Sequence, residues 1–142
     1  MRDAVAILCS GQGNQNRDMF SLVADQREAE PVFAAAAIHL DGVDPREFVA
    51  KANLEALFSN HSGQILCCTQ ALAVWTVTRS ALPARVMIMG YSVGELAAWG
   101  CAGVFEADRT LALAARRAKL MDAATPPGRG PGGDRRALPS GH

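Results

Sequence analysis

Arg85-Val86-Met87-Ile88-Met89-Gly90-Tyr91-Ser92-Val93-Gly94 is the stretch on which the fold turns. An apolar, partly β-branched run enters a glycine, and a serine follows two positions later. The run predicts a buried strand over 85–89, and a helix is expected to begin just after Ser92 and reach about Cys101. Gly90-Tyr91-Ser92-Val93-Gly94 matches G-x-S-x-G, and in that strand-to-helix context the pattern is a nucleophile elbow. The turn is tight. A side chain at 90 or 94 would collide with neighbouring backbone, and Ser92 is expected in a strained conformation that pushes its hydroxyl outward. The helix start brings unpaired N–H groups and a positive dipole end, so the Val93 amide is the natural donor to an oxyanion. The plainer alternative is that Ser92 only caps its helix.

Working outward, Ala4–Cys9 (AVAILC) reads as a second buried strand, ended by Ser10-Gly11 and followed by the loop Gly11-Gln12-Gly13-Asn14-Gln15. A short amphipathic helix is expected to carry Met19, Phe20, Leu22 and Val23. Pro31 suits the first turn of a helix that runs through Leu40 and stops at Asp41-Gly42. Asp44-Pro45-Arg46-Glu47 predicts a helix start, with Asp44 as cap and Glu47 completing a capping box. Asn53 is expected to cap a short helix through Phe58. Ser62 is expected to open a long buried helix to about Ser80. The last helix is predicted over Glu106–Ala124, acidic at its start and basic later, as the helix dipole favours. Strand, helices, strand, helix is the order of an α/β fold with a parallel sheet.

Composition narrows the function classes. Of 142 residues, 49% are hydrophobic and 20% charged, which suits a folded domain. Fourteen basic and fourteen acidic residues cancel, leaving no basic stripe to grip nucleic acid. The longest uncharged stretch, Ser62–Thr78, is broken by Gln64, Thr69, Gln70 and Thr76 and reads as a buried helix, not a membrane span. Cys9, Cys67, Cys68 and Cys101 show no metal-ligand spacing. They are read as small core residues in a reducing cytoplasm. Residues 126–142 are more than half Gly or Pro with interspersed Arg, and predict a disordered tail after a domain over 1–125.

Gly11-Gln12-Gly13-Asn14-Gln15 after an N-terminal strand, together with Gly90-Tyr91-Ser92-Val93-Gly94-Glu95, resembles the malonyl-CoA:acyl carrier protein transacylase family, whose motifs are a G-Q-G-x-Q loop and a G-H-S-x-G-E elbow. Gln64 and Arg117 fall where that family has a Gln and an Arg, and the likeness runs from about Ala4 to Ala124. It implies the N-terminal part of a helix-rich, parallel-sheet acyltransferase core of α/β-hydrolase type. Ser92 would be the nucleophile that holds malonyl as an ester, and the backbone N–H groups of Gln12 and Val93 would form the oxyanion hole. Arg117 would bind the free malonyl carboxylate, with Gln64 lining the pocket. Malonyl-CoA would be the substrate and the thiol of a pantetheine-type arm on an acyl carrier protein the acceptor, with no bound cofactor and no metal. By their residue types alone, Arg117 could be a solvated helix residue, Gln64 a helix-start residue and Gln12 a loop residue.

Two departures from the family pattern matter. Tyr91 replaces the usual His before the nucleophile, and GYSVGELAAWG over 90–100 more closely resembles the acyltransferase (epsilon) subunit of malonate decarboxylase, whose acceptor is that complex's own carrier subunit. The family's general-base His lies on the order of a hundred residues beyond the Ser, where this sequence has no counterpart; His39, His61 and His142 match no family position. The likeness stops near Thr125, short of the later strands and the ferredoxin-like subdomain. The expectation is a truncated or frame-shifted product with residues 126–142 out of frame, and impaired activity. A non-catalytic, carrier-docking fragment and an α/β-hydrolase esterase are the competing readings; the esterase is disfavoured because only one clear strand precedes the strand at 85–89.

Overall fold

A computed structural model describes residues 3–126. The tail from residue 127 onward, His142 included, lies outside the described residues. Strand β1 (Ala4–Cys9) and strand β2 (Arg85–Gly90) pair in parallel, Ala4 opposite Arg85 and Cys9 opposite Gly90. A parallel pair needs a crossover, and here it is helical. Helices α1 (Glu30–Ala37), α2 (Pro45–Lys51), α3 (Leu54–Phe58) and α4 (Asn60–Thr78) carry the chain from β1 to β2. Helices α5 (Val93–Cys101) and α6 (Ala107–Ala124) follow. The long α4 packs against α1, α5 and α6, and α5 rests on both strands. Phe33, Ile65, Leu66, Val93 and Leu111 are fully buried at the meeting of these elements.

Local chemistry sets several boundaries as expected. Asn53 accepts from Ala56 N at 2.8 Å to open α3, and Asp44 accepts from Arg46 N at 2.8 Å to open α2. Glu47, however, pairs with Lys51 one turn along, so its carboxylate is drawn away from a capping box. The long helix starts two residues before the expected Ser62. Ser59 is its cap and accepts from Ser62 N at 3.1 Å, and a 3₁₀ turn over Arg79–Ala81 ends the helical run. Helix α1 stops at Ala37, short of Leu40, where Gly42 N closes a wider turn onto Ala37 O.

Two expectations are corrected. The strands are not buried on both faces. Ile7 and Ile88 pack on the core, whereas Leu8 (73% exposed) and Met87 (64%) point away from it. Side chains alternate across a strand, and in a two-stranded sheet only the α5 side is covered among the described residues. The segment with Met19, Phe20, Leu22 and Val23 is not an α-helix but a chain of turns with i→i+3 bonds, Val23 N to Phe20 O at 2.9 Å and Gln26 N to Val23 O at 3.1 Å. Asn16 begins it by accepting from Asp18 N at 2.9 Å, the local bond that competes with a helix. Phe20 and Val23 thereby share the inward side, and Phe20 meets Phe33 edge-on at 5.4 Å.

Arg46 ties this segment to α1 and α2. It donates to Asp44 at 2.7 Å, to Glu30 at 2.6 Å and to Ala24 O at 2.7 Å, and lies 4.3 Å over the Phe33 ring. The hydrogen bond from Arg46 holds the Asp44 carboxyl below its ordinary value of 3.8. A carboxyl depressed in the folded state stabilises above its unfolded pKa, and that contribution fades as pH falls through the folded one. Asp44→Ala is expected to cost about 1 kcal/mol near neutral pH, the usual price of an N-cap. Urea unfolding should show the gap to wild type narrowing below about pH 4; a gap constant down to pH 2 would refute the assignment.

Candidate active site

The end of β2 is crowded on purpose. Tyr91 N extends the strand pairing by donating to Cys9 O at 3.1 Å, and the chain then reverses through Ser92 with φ 56 and ψ −123, a region L side chains seldom occupy. A Cβ on Gly90 would fall 2.0 Å from Gly94 O, and one on Gly94 would fall 2.1 Å from Cys9 O. Strand, loop and helix backbones therefore touch at two glycines. Ser92 makes no cap hydrogen bond from its side chain. Its residue is exposed, and its Oγ accepts from Arg117 Nη2 at 3.3 Å. The elbow is there, and the capping alternative is not what Ser92 does.

The loop after β1 lies directly against this turn: a Cβ at Gly11 would be 3.3 Å from Tyr91 O and 3.5 Å from Ser92 Cβ. Gln15 braces the loop, accepting from Gly13 N and donating to Leu57 O at 3.3 Å. Gly94 N donates to Tyr91 O and Glu95 N to Ser92 O. Among the described residues, the Val93 and Gln12 amides have no acceptor.

From the far side, α6 delivers Arg117, half-buried. Its Nη1 donates to Gln64 Oε1 at 2.8 Å while Nη2 reaches Ser92. Gln64 is completely buried on α4, and its Nε2 donates to Asn60 Oδ1 at 2.7 Å. Gln12 Nε2 joins the same oxygen at 3.2 Å. The residues singled out in sequence, Ser92, Gln12, Gln64 and Arg117, thus fall in one connected cluster, with Val93 at its helix start. Asn60 was missed. Starting α4 at Ser62 left it outside the helix, but a helix from residue 60 puts Asn60 and Gln64 one turn apart on one face.

Among the described residues the cluster has no imidazole. His61 Nε2 sits 2.7 Å from His39 O, and neither ring is a hydrogen-bond partner of Ser92. The cysteines are free and buried. Burial pushes the Cys67 thiol up to about 11 and Cys68 to about 12, so both stay protonated near neutrality and serve as packing, Cys67 against Gly11 O and Cys68 against Val93 O. Among the described residues no group of three His, Cys, Asp or Glu is placed to hold a metal ion, and no helix is long and apolar enough to cross a membrane.

A parallel pair with a strained serine at the strand-to-helix turn, covered by helices, is the acyltransferase fold, which this chain matches over about two fifths of its solved neighbours. No protein-family model matches the chain. It is 31% identical over 129 residues to the malonyl CoA-acyl carrier protein transacylase of Salmonella typhimurium, covering 88% of this chain and 41% of that relative. The acyl carrier protein S-malonyltransferase of Vibrio cholerae superposes with a TM-score of 0.77 at 29% identity, over 87% of this chain and 41% of its own. A malonyl-transacylase solved in complex with a type II PKS acyl-carrier protein gives a TM-score of 0.77 at 30% identity, over 87% and 40%. Over the span they share, this chain is similar to malonyl CoA-acyl carrier protein transacylases. The chain covers about 40% of their length.

Proposed function

We propose that this chain carries the nucleophile and the carboxylate clamp of a malonyl transferase. Ser92 Oγ attacks the thioester carbonyl of malonyl-CoA. The new C–O bond replaces the C–S bond, the departing CoA sulfur takes up the proton, and malonyl stays as the Ser92 ester until the thiol of an acyl carrier removes it. The free Val93 and Gln12 amides support an oxyanion hole beside Ser92. The observation that carries the reading is Arg117. It lies 3.3 Å from the serine oxygen, and among the described residues its side-chain partners are neutral groups, so its charge has no carboxylate to answer it. Malonyl brings one a single carbon beyond the reacting carbonyl; acetyl does not. A planar guanidinium meets that anion as a fork.

Tyr91 refines the reading. Exposed at 80% beside the nucleophile, it stands where the family usually has His, and supports a malonate decarboxylase acyltransferase whose acceptor is that complex's carrier subunit. Four free thiols support a reducing cytoplasm. With no imidazole partner of Ser92 among the described residues, acylation should run about 10⁴- to 10⁶-fold below a base-assisted serine. The competing reading is a non-catalytic, carrier-docking chain.

Prolonged incubation with malonyl-CoA or acetyl-CoA, followed by intact mass and peptide mapping, separates the readings. The expected result is a slow malonyl adduct on Ser92, with acetyl taken up far less. Arg117→Gln should lower malonyl loading by about 10- to 100-fold and leave acetyl loading unchanged, the loss expected for a charge-assisted pair. No adduct from either thioester, or one that maps elsewhere, would leave the non-catalytic reading in its place.

A further inference from the structure

The amide chain behind Arg117 has a direction, and Asn60 sets it. Asn60 opens α4 and is buried, at 8% exposure. Its Nδ2 donates to Ala118 O at 3.3 Å and to Asp122 Oδ1 at 3.1 Å, both on α6. A backbone carbonyl and a carboxylate only accept, so the nitrogen of the Asn60 amide must face them. Oδ1 is thereby turned to the two glutamines, accepting from Gln64 Nε2 at 2.7 Å and Gln12 Nε2 at 3.2 Å. With its nitrogen committed to Asn60, Gln64 has its oxygen facing Arg117 Nη1 at 2.8 Å. Arg117 only donates, so the far end of the chain demands the same orientation. Asn60 uses its full capacity, two bonds given and two received. It is also the one hydrogen-bond partner of the Gln12 side chain among the described residues, since Gln12 Oε1 is buried without a partner.

We propose that Asn60 is a positioning residue for the malonyl-carboxylate pocket. It locks the Gln64 amide with its oxygen on Arg117 and ties the Gln12 loop to α6, so that the guanidinium stands at Ser92 with its remaining N–H groups free for the substrate anion. The inference rests on the reading of Ser92 and Arg117 given above. Without Asn60, the Gln64 nitrogen keeps only a weak acceptor, Met121 Sδ at 3.3 Å, and the amide is held far less firmly in its direction; flipped, it would set an NH₂ against a cation, and Arg117 would lose the acceptor that holds it inward. Asn60 therefore acts on the choice between malonyl and acetyl, not on the attack itself.

Three variants test this: Asn60→Ser, Asn60→Asp, and the double variant Asn60→Asp/Asp122→Asn. Asn60→Asp sets an acceptor-only group against Ala118 O and Asp122, and the added Asp122→Asn returns a donor to that contact from the α6 side. The readout is the malonyl-to-acetyl ratio of ester on Ser92, taken on protein shown by a cooperative melt to be folded. Both single variants should lower the ratio about tenfold, the effect of losing one well-made hydrogen bond to a charged-group network, and the double variant should recover most of it. Asn60→Ser decides the matter if Asn60→Asp does not fold. An unchanged ratio in a folded single variant overturns the proposal. Should the wild-type chain accept neither thioester, the reading of Ser92 has failed on its own account, and the positioning role is decided by NMR: exchange of the Arg117 guanidinium protons should quicken about tenfold in Asn60→Ser, and equal exchange would overturn it.

Discussion

Gly94→Ala is expected to abolish the folded state, or to cost more than about 4 kcal/mol where folded protein survives. The added methyl would lie 2.1 Å from Cys9 O and 2.7 Å from Ser10 O. Cys9 O cannot step aside, because it accepts from Tyr91 N and Cys9 is paired with Gly90 across the sheet. Gly90→Ala should behave alike, its methyl meeting Gly94 O at 2.0 Å. Domains of this size hold about 5–15 kcal/mol in total, so either substitution consumes a large share. Gly103→Ala is the control. It has φ +80 but open space around it, and should cost only about 1 kcal/mol, the conformational penalty alone. Soluble yield and urea unfolding measure all three. A Gly94→Ala protein within 1 kcal/mol of wild type would show that the β1 loop, β2 and α5 do not converge as described.

The second large effect has opposite signs on stability and chemistry. Ser92 occupies φ 56 and ψ −123, where an L side chain costs about 1–3 kcal/mol. Ser92→Gly releases that strain at the expense of a more flexible unfolded chain, and should raise stability by about 1 kcal/mol. Ser92→Ala keeps the strain and should be less stable than Ser92→Gly by about 1–2 kcal/mol, the reverse of the order seen inside ordinary helices. Both should lose the malonyl adduct completely, since the buried Cys67 and Cys68 remain protonated near neutral pH. The pair therefore separates two claims. An alanine variant more stable than the glycine variant argues against the strained turn, and an adduct that survives in either argues against Ser92 as nucleophile.

The elbow could be read from sequence because most of what makes it is local: a strand entering Gly90, a helix leaving Ser92, and a turn in which a Cβ on Gly90 would meet Gly94 O; what excludes a side chain at Gly94 is the distant end of β1, Cys9 O and Ser10 O. The caps Asp44 and Asn53 were legible for the same reason, each bonding an amide two or three residues on. The turns over 17–25 were not: of the four apolar residues expected on a helix there, Phe20 and Val23 face the core while Leu22 stands exposed. An i, i+3 apolar spacing suits an α-helix and a run of turns alike, and the Asn16 side chain chooses between them.

What the sequence by itself determined is therefore the chemistry at one point of the chain: a serine that must turn outward, glycines that must flank it, and a parallel α/β frame to hold it. The conjunction of that serine with Arg117, 25 positions away, was suggested by a resemblance but decided only by the packing of α6 on α4 and α5. Asn60 belongs wholly to the tertiary structure, since its four hydrogen bonds reach to the β1 loop and to α6 as well as along α4. Which strand face met the core was settled there too. A hydrogen-bond direction or an exposed face depends on what stands opposite, and no local pattern of residues contains that.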